Sequence, residues 1–314
     1  MIANPERTKL LSSIGWVDRD GLWMFKPADD RPEVIPLDTG ARYASLHFTE
    51  GQRFAVGHHF DGARFDVSVR SFSSPSEVLA SAVIEDKKSR LTGDPSVWMD
   101  VPRLYIEYLA FEPWKDFVLL KVSPSAGTID VQRLQWYDDA YDKGYQGVVG
   151  VLALPGGMSA LISVQRSSRL IVHDLNTGAK MNSIDLGDRG GNPRLEYFKS
   201  GKEIWASDYD TLVVLKAPDW QIDRRSLLQG SAAGTRQFIG DFCFPPDQQL
   251  CVVARPFSGD VIAVDSQSLK IKSSAKLGRE PLEVAAIGRG EIVARDWKTG
   301  DLLRGTLHRR GFLR

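Results

Sequence analysis

The sequence predicts an all-β chain built from short sheets of one kind, and three observations carry that expectation. The apolar runs are brief, as in LIVHDL, TLVVLKA and DVIAVD, and rich in β-branched residues. Turn signals separate them (NTG, PD, SGD and KTG), in which Gly or Asx takes backbone conformations that other residues avoid. Two segments, residues 169–198 and 259–287, repeat one order of features: a strand ending in Asp, a polar turn, a strand, Leu-Gly, a polar linker, Pro and a strand.

The repeat has a period. Asp174 matches Asp265, and Leu186-Gly187 matches Leu277-Gly278, each pair lying 91 residues apart. That is two units of about 45 residues, the length of one propeller blade. Residues 211–230 carry the same order in weaker form between the two segments. The 314 residues hold about seven such units. Cutting at the turn signals places them near 10–37, 42–84, 101–136, 145–186, 193–229, 236–277 and 282–307. The expected fold is a single seven-bladed β-propeller over 1–314, with six or eight blades as alternatives. The first and last units are short, as they would be if N- and C-terminal strands shared a closing sheet. Closure also hides sheet edges that would otherwise template aggregation.

The connections follow from the same reading. Residues 76–90, SEVLASAVIEDKKSR, are the best candidate for an amphipathic helix but also read as a final strand followed by a charged loop. Residues 85–100 and 136–147 read as protruding inter-blade loops, and 308–314 as a basic tail carrying Arg309, Arg310 and Arg314 beside Phe312. Asp174–Gly178 and Asp296–Gly300 read as one turn used twice, and Pro36–Gly40 repeats part of it.

These elements carry a resemblance. The Asp-turn-Thr-Gly element, the Leu-Gly linker and the Pro before the next strand resemble the YVTN-type repeats of bacterial β-propellers, relatives of the seven-bladed lactonase-like propellers. The likeness covers residues 145–307, with LIVHD and VIAVD standing where the family has Tyr-Val-Thr-Asn. A WD-type signature is not matched: Gly57-His58 is the one Gly-His pair, and no Trp-Asp follows it. The resemblance implies the architecture. It also implies that any catalytic groups, His, Glu or Arg, would stand near a central channel, but no local motif identifies them here.

Composition closes off other classes. Lys plus Arg and Asp plus Glu are both 40, so no global field favours nucleic acid or an anionic membrane. No stretch has the roughly 18 consecutive apolar residues of a membrane helix. Glu6, Arg7 and Lys9 occupy the place of a signal peptide's apolar core, so a cytoplasmic location is expected. Cys243 and Cys251 are the only cysteines, too few for a disulfide framework or a Cys-rich zinc site. FCFPPDQQLCV reads as a hairpin that sets Cys243 opposite Cys251, as two reduced thiols or a cross-strand disulfide.

Candidate functional residues are sparse. Of the five histidines, His47, His58, His59, His173 and His308, the adjacent pair points to opposite faces of a strand and cannot share a metal. No nucleophile elbow, phosphate loop or HExxH motif occurs. The most unusual segment, WYDDAYDKGYQG, gathers Trp136, Tyr137, Tyr141 and Tyr145 with Asp138, Asp139 and Asp142. Aromatic faces beside carboxylates suit a sugar, a cation or a partner's arginine. Asp138, Ala140 and Asp142 break the alternation that a calcium loop requires. The expectation is therefore a non-catalytic scaffold, monomeric or within a hetero-complex, that binds a protein or glycan through one loop face. It needs no cofactor and no metal. The alternatives are a lactonase-like hydrolase or lyase with a site at the central channel, and a carbohydrate-binding accessory module using residues 136–147.

Overall fold

A strand buried on both faces reads as an unbroken apolar run, and a strand at a sheet edge reads as polar. The computed structural model sorts the third and fourth strands between residues 211 and 275 in that way. It describes residues 2–3, 10–13, 22–26, 33–38, 46–48, 54–60, 64–71, 78–85, 91–100, 103–110, 116–123, 127–135, 148–154, 159–164, 168–174, 176–187, 194–198, 202–228, 238–245, 249–287, 290–308 and 311–312. Among these there is no α-helix.

The first sheet runs Ile2–Ala3, Leu10–Ser13, Leu22–Lys26 and Glu33–Asp38 (β1–β4). The second runs Leu46–Phe48, Phe54–Phe60, Arg64–Ser71 and Val78–Glu85 (β5–β8). Leu91–Asp100, Arg103–Ala110, Asp116–Ser123 and Thr128–Gln135 (β9–β12) share an eight-stranded sheet with Val148–Ala153, Ser159–Val164, Arg169–Asp174 and Lys180–Asp185 (β13–β16). One parallel bridge, Gly150 to Asp94, joins these two groups of four. Three four-stranded sheets follow. Leu195–Phe198, Glu203–Asp208, Thr211–Lys216 and Gln221–Leu227 are β17–β20. Asp241–Cys243, Leu250–Arg255, Asp260–Asp265 and Ile271–Ala275 are β21–β24. Pro281–Ile287, Glu291–Asp296, Leu302–His308 and Gly311–Phe312 are β25–β28. By compactness the chain divides into one unit made mainly of Lys9–Asp185 and another made mainly of Leu186–Arg314.

In the C-terminal unit the middle strands carry the core. All six residues of β18 and of β22 are buried. The fourth strand β20, QIDRRSL, alternates between exposed and half-buried, and its charges blunt the sheet edge. One apolar cluster joins Trp205, Leu212 and Val214 to Phe242, Cys251, Val253 and Ile262, packing the sheet β17–β20 on β21–β24. Phe244 stands at its centre, 4.4 Å from the Phe198 ring and 5.0 Å from Trp205. A second cluster packs Val252, Ala254 and Ala263 on Val284, Ile292 and Ala294, joining β21–β24 to β25–β28.

These two clusters settle the cysteines. Cys243 pairs with Val252, not with Cys251, so the expected register is wrong by one residue. A slip of one reverses the face that each side chain takes. Cys251 therefore enters the first cluster while Cys243 packs against the second, and both are free thiols on opposite faces of the sheet. Burial pushes the Cys251 thiol well up.

Three other expectations change. Residues 91–100 are strand β9, because Leu91, Thr92, Val97 and Trp98 suit a pleated surface. The turn-forming Gly93-Asp94-Pro95 falls where the register slips between Glu107 and Leu109, a bulge that tolerates proline. The basic tail includes a short strand, since Phe312 pairs with Leu307 and Gly311 with His308. That pairing gives the last sheet its own fourth strand. The first sheet draws only on residues 2–38 and the last only on 281–312, so no described strand is exchanged between the chain ends.

The repeated aspartate is explained by its hydrogen bonds. Asp174 Oδ1 accepts from the amides of Asn176 and Thr177 and from the Thr177 hydroxyl. Asp265 Oδ1 does the same with Gln267 and Ser268. Asp296 Oδ1 accepts from the Lys298 and Thr299 amides. Each turn closes with a left-handed residue four places on: Gly178 at φ 72°, Leu269 at φ 56° and Gly300 at φ 73°. The local chemistry is one motif, but its place in the sheet differs. Asp174 and Asp265 end third strands, whereas Asp296 ends a second strand. Leu269 keeps its unfavourable φ because its side chain is buried in the first cluster. Burial of a leucine, worth about 1.5–3 kcal/mol, exceeds the roughly 1–2 kcal/mol cost of the left-handed backbone.

Glycine substitutions separate backbone strain from crowding. Gly259 has φ 61°, and a Cβ there would lie 2.6 Å from the Arg279 carbonyl oxygen. Gly300 has φ 73° with nothing within 4 Å of that position. Gly300→Ala is expected to destabilise by about 1 kcal/mol, and Gly259→Ala by more than about 2 kcal/mol, in urea unfolding.

Candidate functional site

The first strands of the C-terminal unit bring charged residues together. Gly240 precedes β21, and a Cβ there would stand 2.5 Å from the Leu282 carbonyl oxygen. This close approach buries Asp241, which is 1% exposed. Its Oδ1 takes the Phe242 amide at 2.6 Å and Arg194 Nε at 2.8 Å, and its Oδ2 takes the Val284 amide at 3.0 Å. Arg194 is fixed in turn, since its carbonyl accepts from the Ser207 amide and its own amide donates to the Ser207 hydroxyl. Glu283, next to Val284, accepts a bidentate pair of hydrogen bonds from the Nε and Nη2 of Arg295, with Nε at 3.0 Å. Burial pushes the Asp241 carboxyl up, the Arg194 charge and the Val284 amide pull it down, and Glu283 adds a small upward push.

A carboxyl displaced upward beside an arginine is a common acid–base pairing. Here, however, three of the roughly four acceptor positions of Asp241 are filled, and it has almost no exposed surface. The arrangement clamps three successive sheets through one carboxylate. Arg194 retains exposure on its outer side, at 42%.

A second carboxylate fixes the other connection. Asp296 Oδ2 accepts from the Arg279 and Glu280 amides at 2.6 and 2.9 Å. It also accounts for the glycine of the second Leu-Gly copy, Leu277-Gly278. Leu277 is buried, and Gly278 at φ 91° leaves a space that a Cβ would close to 2.6 Å from Asp296 Oδ2. Burial opposes ionisation of Asp296, but the Glu280, Thr299, Arg279 and Lys298 amides outweigh it and hold the carboxyl at about 2.

One end of these sheets carries aromatic side chains. The turns joining second to third strands present Tyr209, Phe257 and Trp297. Phe257 is 61% exposed and Trp297 50%. Phe238, just before β21, lies 6.1 Å from the Tyr209 ring and 6.0 Å from the Phe257 ring. Backbone bonds tie this row to the connecting segments: the Ile239 amide donates to the Tyr209 carbonyl, and the Trp297 amide to the Glu280 carbonyl. Beneath the Phe257 turn, Arg255 and Asp260 form a buried bidentate pair at 2.9 and 2.6 Å.

The sequence candidates fare differently. Trp136, Tyr137, Asp138, Asp139, Tyr141, Asp142 and Tyr145 lie outside the described residues. His47 is on β5, His58 and His59 are on β6, and His308 ends β27. His173 is buried on β15, with Nδ1 3.2 Å from the Gly178 carbonyl oxygen. Among the described residues no three His, Cys, Asp or Glu side chains are grouped to hold a metal, and no helix is long and apolar enough to cross a membrane. Sequence reading missed the aromatic row. Its signal is visible in SDYD, RPFSGD and RDWKTGD, where an aromatic sits in a polar turn and an Asp follows. The Asp241 clamp has no local signal, because its partners in the neighbouring sheets lie 47 residues before and 43 after it.

No protein-family model matches the chain, and no curated protein matches it in sequence. Solved structures do. The Cps50 (Swd1) β-propeller domain of Myceliophteria thermophila aligns with a TM-score of 0.72 at 12% identity, covering 98% of this chain and 96% of that one. A Bacteroides fragilis protein assigned as a 6-phosphogluconolactonase aligns at 0.70 and 13% identity, over 97% of this chain and 92% of that one. The Pseudomonas aeruginosa periplasmic gluconolactonase PpgL aligns at 0.72 and 14% identity, over 98% and 94%. The fold is that of the β-propellers. The likeness spans both a domain named only by its architecture and proteins named as lactonases.

The Asp296 carboxyl gives a signed pH dependence. Its folded value of about 2 lies below its ordinary 3.8. Its contribution is therefore complete above about pH 4 and fades as pH falls toward about 2. Asp296→Asn should cost about 1.5–3 kcal/mol at neutral pH, and the gap to wild type should narrow as pH drops through that window, read as urea midpoints.

Proposed function

We propose that the chain is a single seven-bladed β-propeller acting as a non-catalytic scaffold, alone or within a hetero-complex. In this reading the eight-stranded sheet is two blades, β9–β12 and β13–β16, meeting at one bridge. The binding surface is a loop face that holds a protein or glycan partner. The observation carrying this reading is the row of Tyr209, Phe257 and Trp297 on the turns of three successive sheets, with two of the three largely exposed. Exposed aromatics on rigid turns are what binding surfaces concentrate. The buried charges support the same reading, because Asp241 and Asp296 are committed to backbone amides.

The second reading is a lactonase-like hydrolase. The structural likeness to the Bacteroides and Pseudomonas proteins and the upward-shifted Asp241 beside a half-exposed Arg194 favour it. Fold alone does not assign activity. A carbohydrate-binding role for residues 136–147 would be a specialised form of the scaffold reading.

One comparison separates the readings. Tagged wild type and a Phe257→Ser/Trp297→Ser variant are recovered from the native host and assayed for bound partners and for gluconolactone hydrolysis. A partner retained by wild type and lost from the variant, without hydrolysis, is the expected result. Hydrolysis that disappears in Asp241→Asn would replace the scaffold reading with the enzymatic one.

A further inference from the structure

We infer that the Phe257–Trp297 end of the C-terminal unit docks an acidic peptide segment of a partner protein, anchored by an apolar or aromatic side chain. The inference rests on the scaffold reading and adds the chemistry of the partner. Three observations carry it.

The apolar part is exposed. Phe257 and Trp297 are 61% and 50% exposed, and the Phe238 ring lies 6.0 Å from Phe257 and 6.1 Å from Tyr209. Large aromatics held in solvent on successive turns are anchor positions for a ligand side chain.

The frame is rigid before any ligand arrives. Gly259 closes the Phe257 turn in the left-handed region, against the Arg279 carbonyl. The buried Arg255–Asp260 pair ties the two strands entering that turn. Backbone and carboxylate bonds from Glu280 and Asp296 hold the Trp297 turn on its neighbouring linker. A preorganised surface loses less entropy when it binds.

The exposed charge between the aromatics is mainly positive. Lys276 and Arg279 are exposed on the linker that separates the two turns. Lys276 donates to the Ser258 carbonyl at 2.7 Å, which leaves further ammonium donors facing outward. The neighbouring carboxylates are mostly committed: Asp260 to Arg255, Asp296 to backbone amides and Glu280 to Lys298. Asp301 is the exposed carboxylate of this stretch among the described residues, against exposed Lys276 and Arg279, with Lys298 paired to Glu280. An acidic segment is attracted to such a surface and a basic one repelled. A neutral glycan would gain the aromatic contacts but nothing from the cations.

The test uses the full chain and three fluorescein-labelled peptides of about a dozen residues, a length that can span two turns. One carries Trp and Leu among Asp and Glu. The second replaces the acids with Lys, and the third replaces Trp and Leu with Ala. Maltoheptaose is the glycan competitor. Anisotropy is expected to show binding of the first peptide alone, weakened roughly tenfold or more by Phe257→Ser or Trp297→Ser. Lys276→Gln/Arg279→Gln should weaken binding and remove most of its salt dependence, with the exposed positions leaving thermal unfolding nearly unchanged. Equal binding of the lysine peptide, no binding of the acidic one, displacement by maltoheptaose, or indifference to the four substitutions would overturn the inference. The scaffold reading fails separately, through lactone hydrolysis that depends on Asp241.

Discussion

The Asp241 carboxylate is the interaction on which the arrangement of the C-terminal sheets depends. It accepts from Arg194 at the start of one sheet, from Phe242 in its own, and from Val284 in the next. Apolar clusters pack these sheets face to face, but such contacts are non-directional and leave sliding cheap. A buried carboxylate is different, because an unfilled acceptor costs the full desolvation of that group. Its three bonds therefore fix how one first strand sits against the next. Gly240 makes this possible, since any larger residue would collide with the Leu282 carbonyl.

The same logic recurs farther along the chain. Asp296 closes its own turn with one oxygen and holds the preceding linker with the other. Arg224 reaches from β20 to the Ser266 carbonyl of the following sheet while pairing with Glu203. Polar groups thus set the spacing, and the apolar clusters between them provide most of the burial. This division leaves the turn aromatics free of core duty. Phe257 and Trp297 stand outside both clusters, on turns whose backbone is already held. They form a surface able to bind because its supports are fully used elsewhere.

Much of this was legible in the sequence wherever its cause is local. The Asp turns could be read because an aspartate captures amides two and three residues on, with a left-handed residue at the fourth. Strands buried on both faces could be read as LCVVA and VIAV. The cysteine register could not. The loop after Cys243 gives no signal of whether its count is odd or even, and that parity decides which face each thiol takes. Residues 91–100 misled for a related reason: Gly93 and Pro95 signal a loop, yet a bulge lets a strand carry them. Asp241 and the aromatic row escaped because their neighbours come from other sheets, and a single sequence holds no trace of that proximity.

Amide hydrogen exchange on Asp241→Ala tests the clamp most directly. If one carboxylate holds three sheets, protection should fall together in β17, β21 and β25, the strands that receive or flank its bonds. The fourth strands β20 and β24 should change least. Loss of protection confined to Phe242 and its immediate neighbours would contradict the account, and would leave apolar packing as what fixes the sheets.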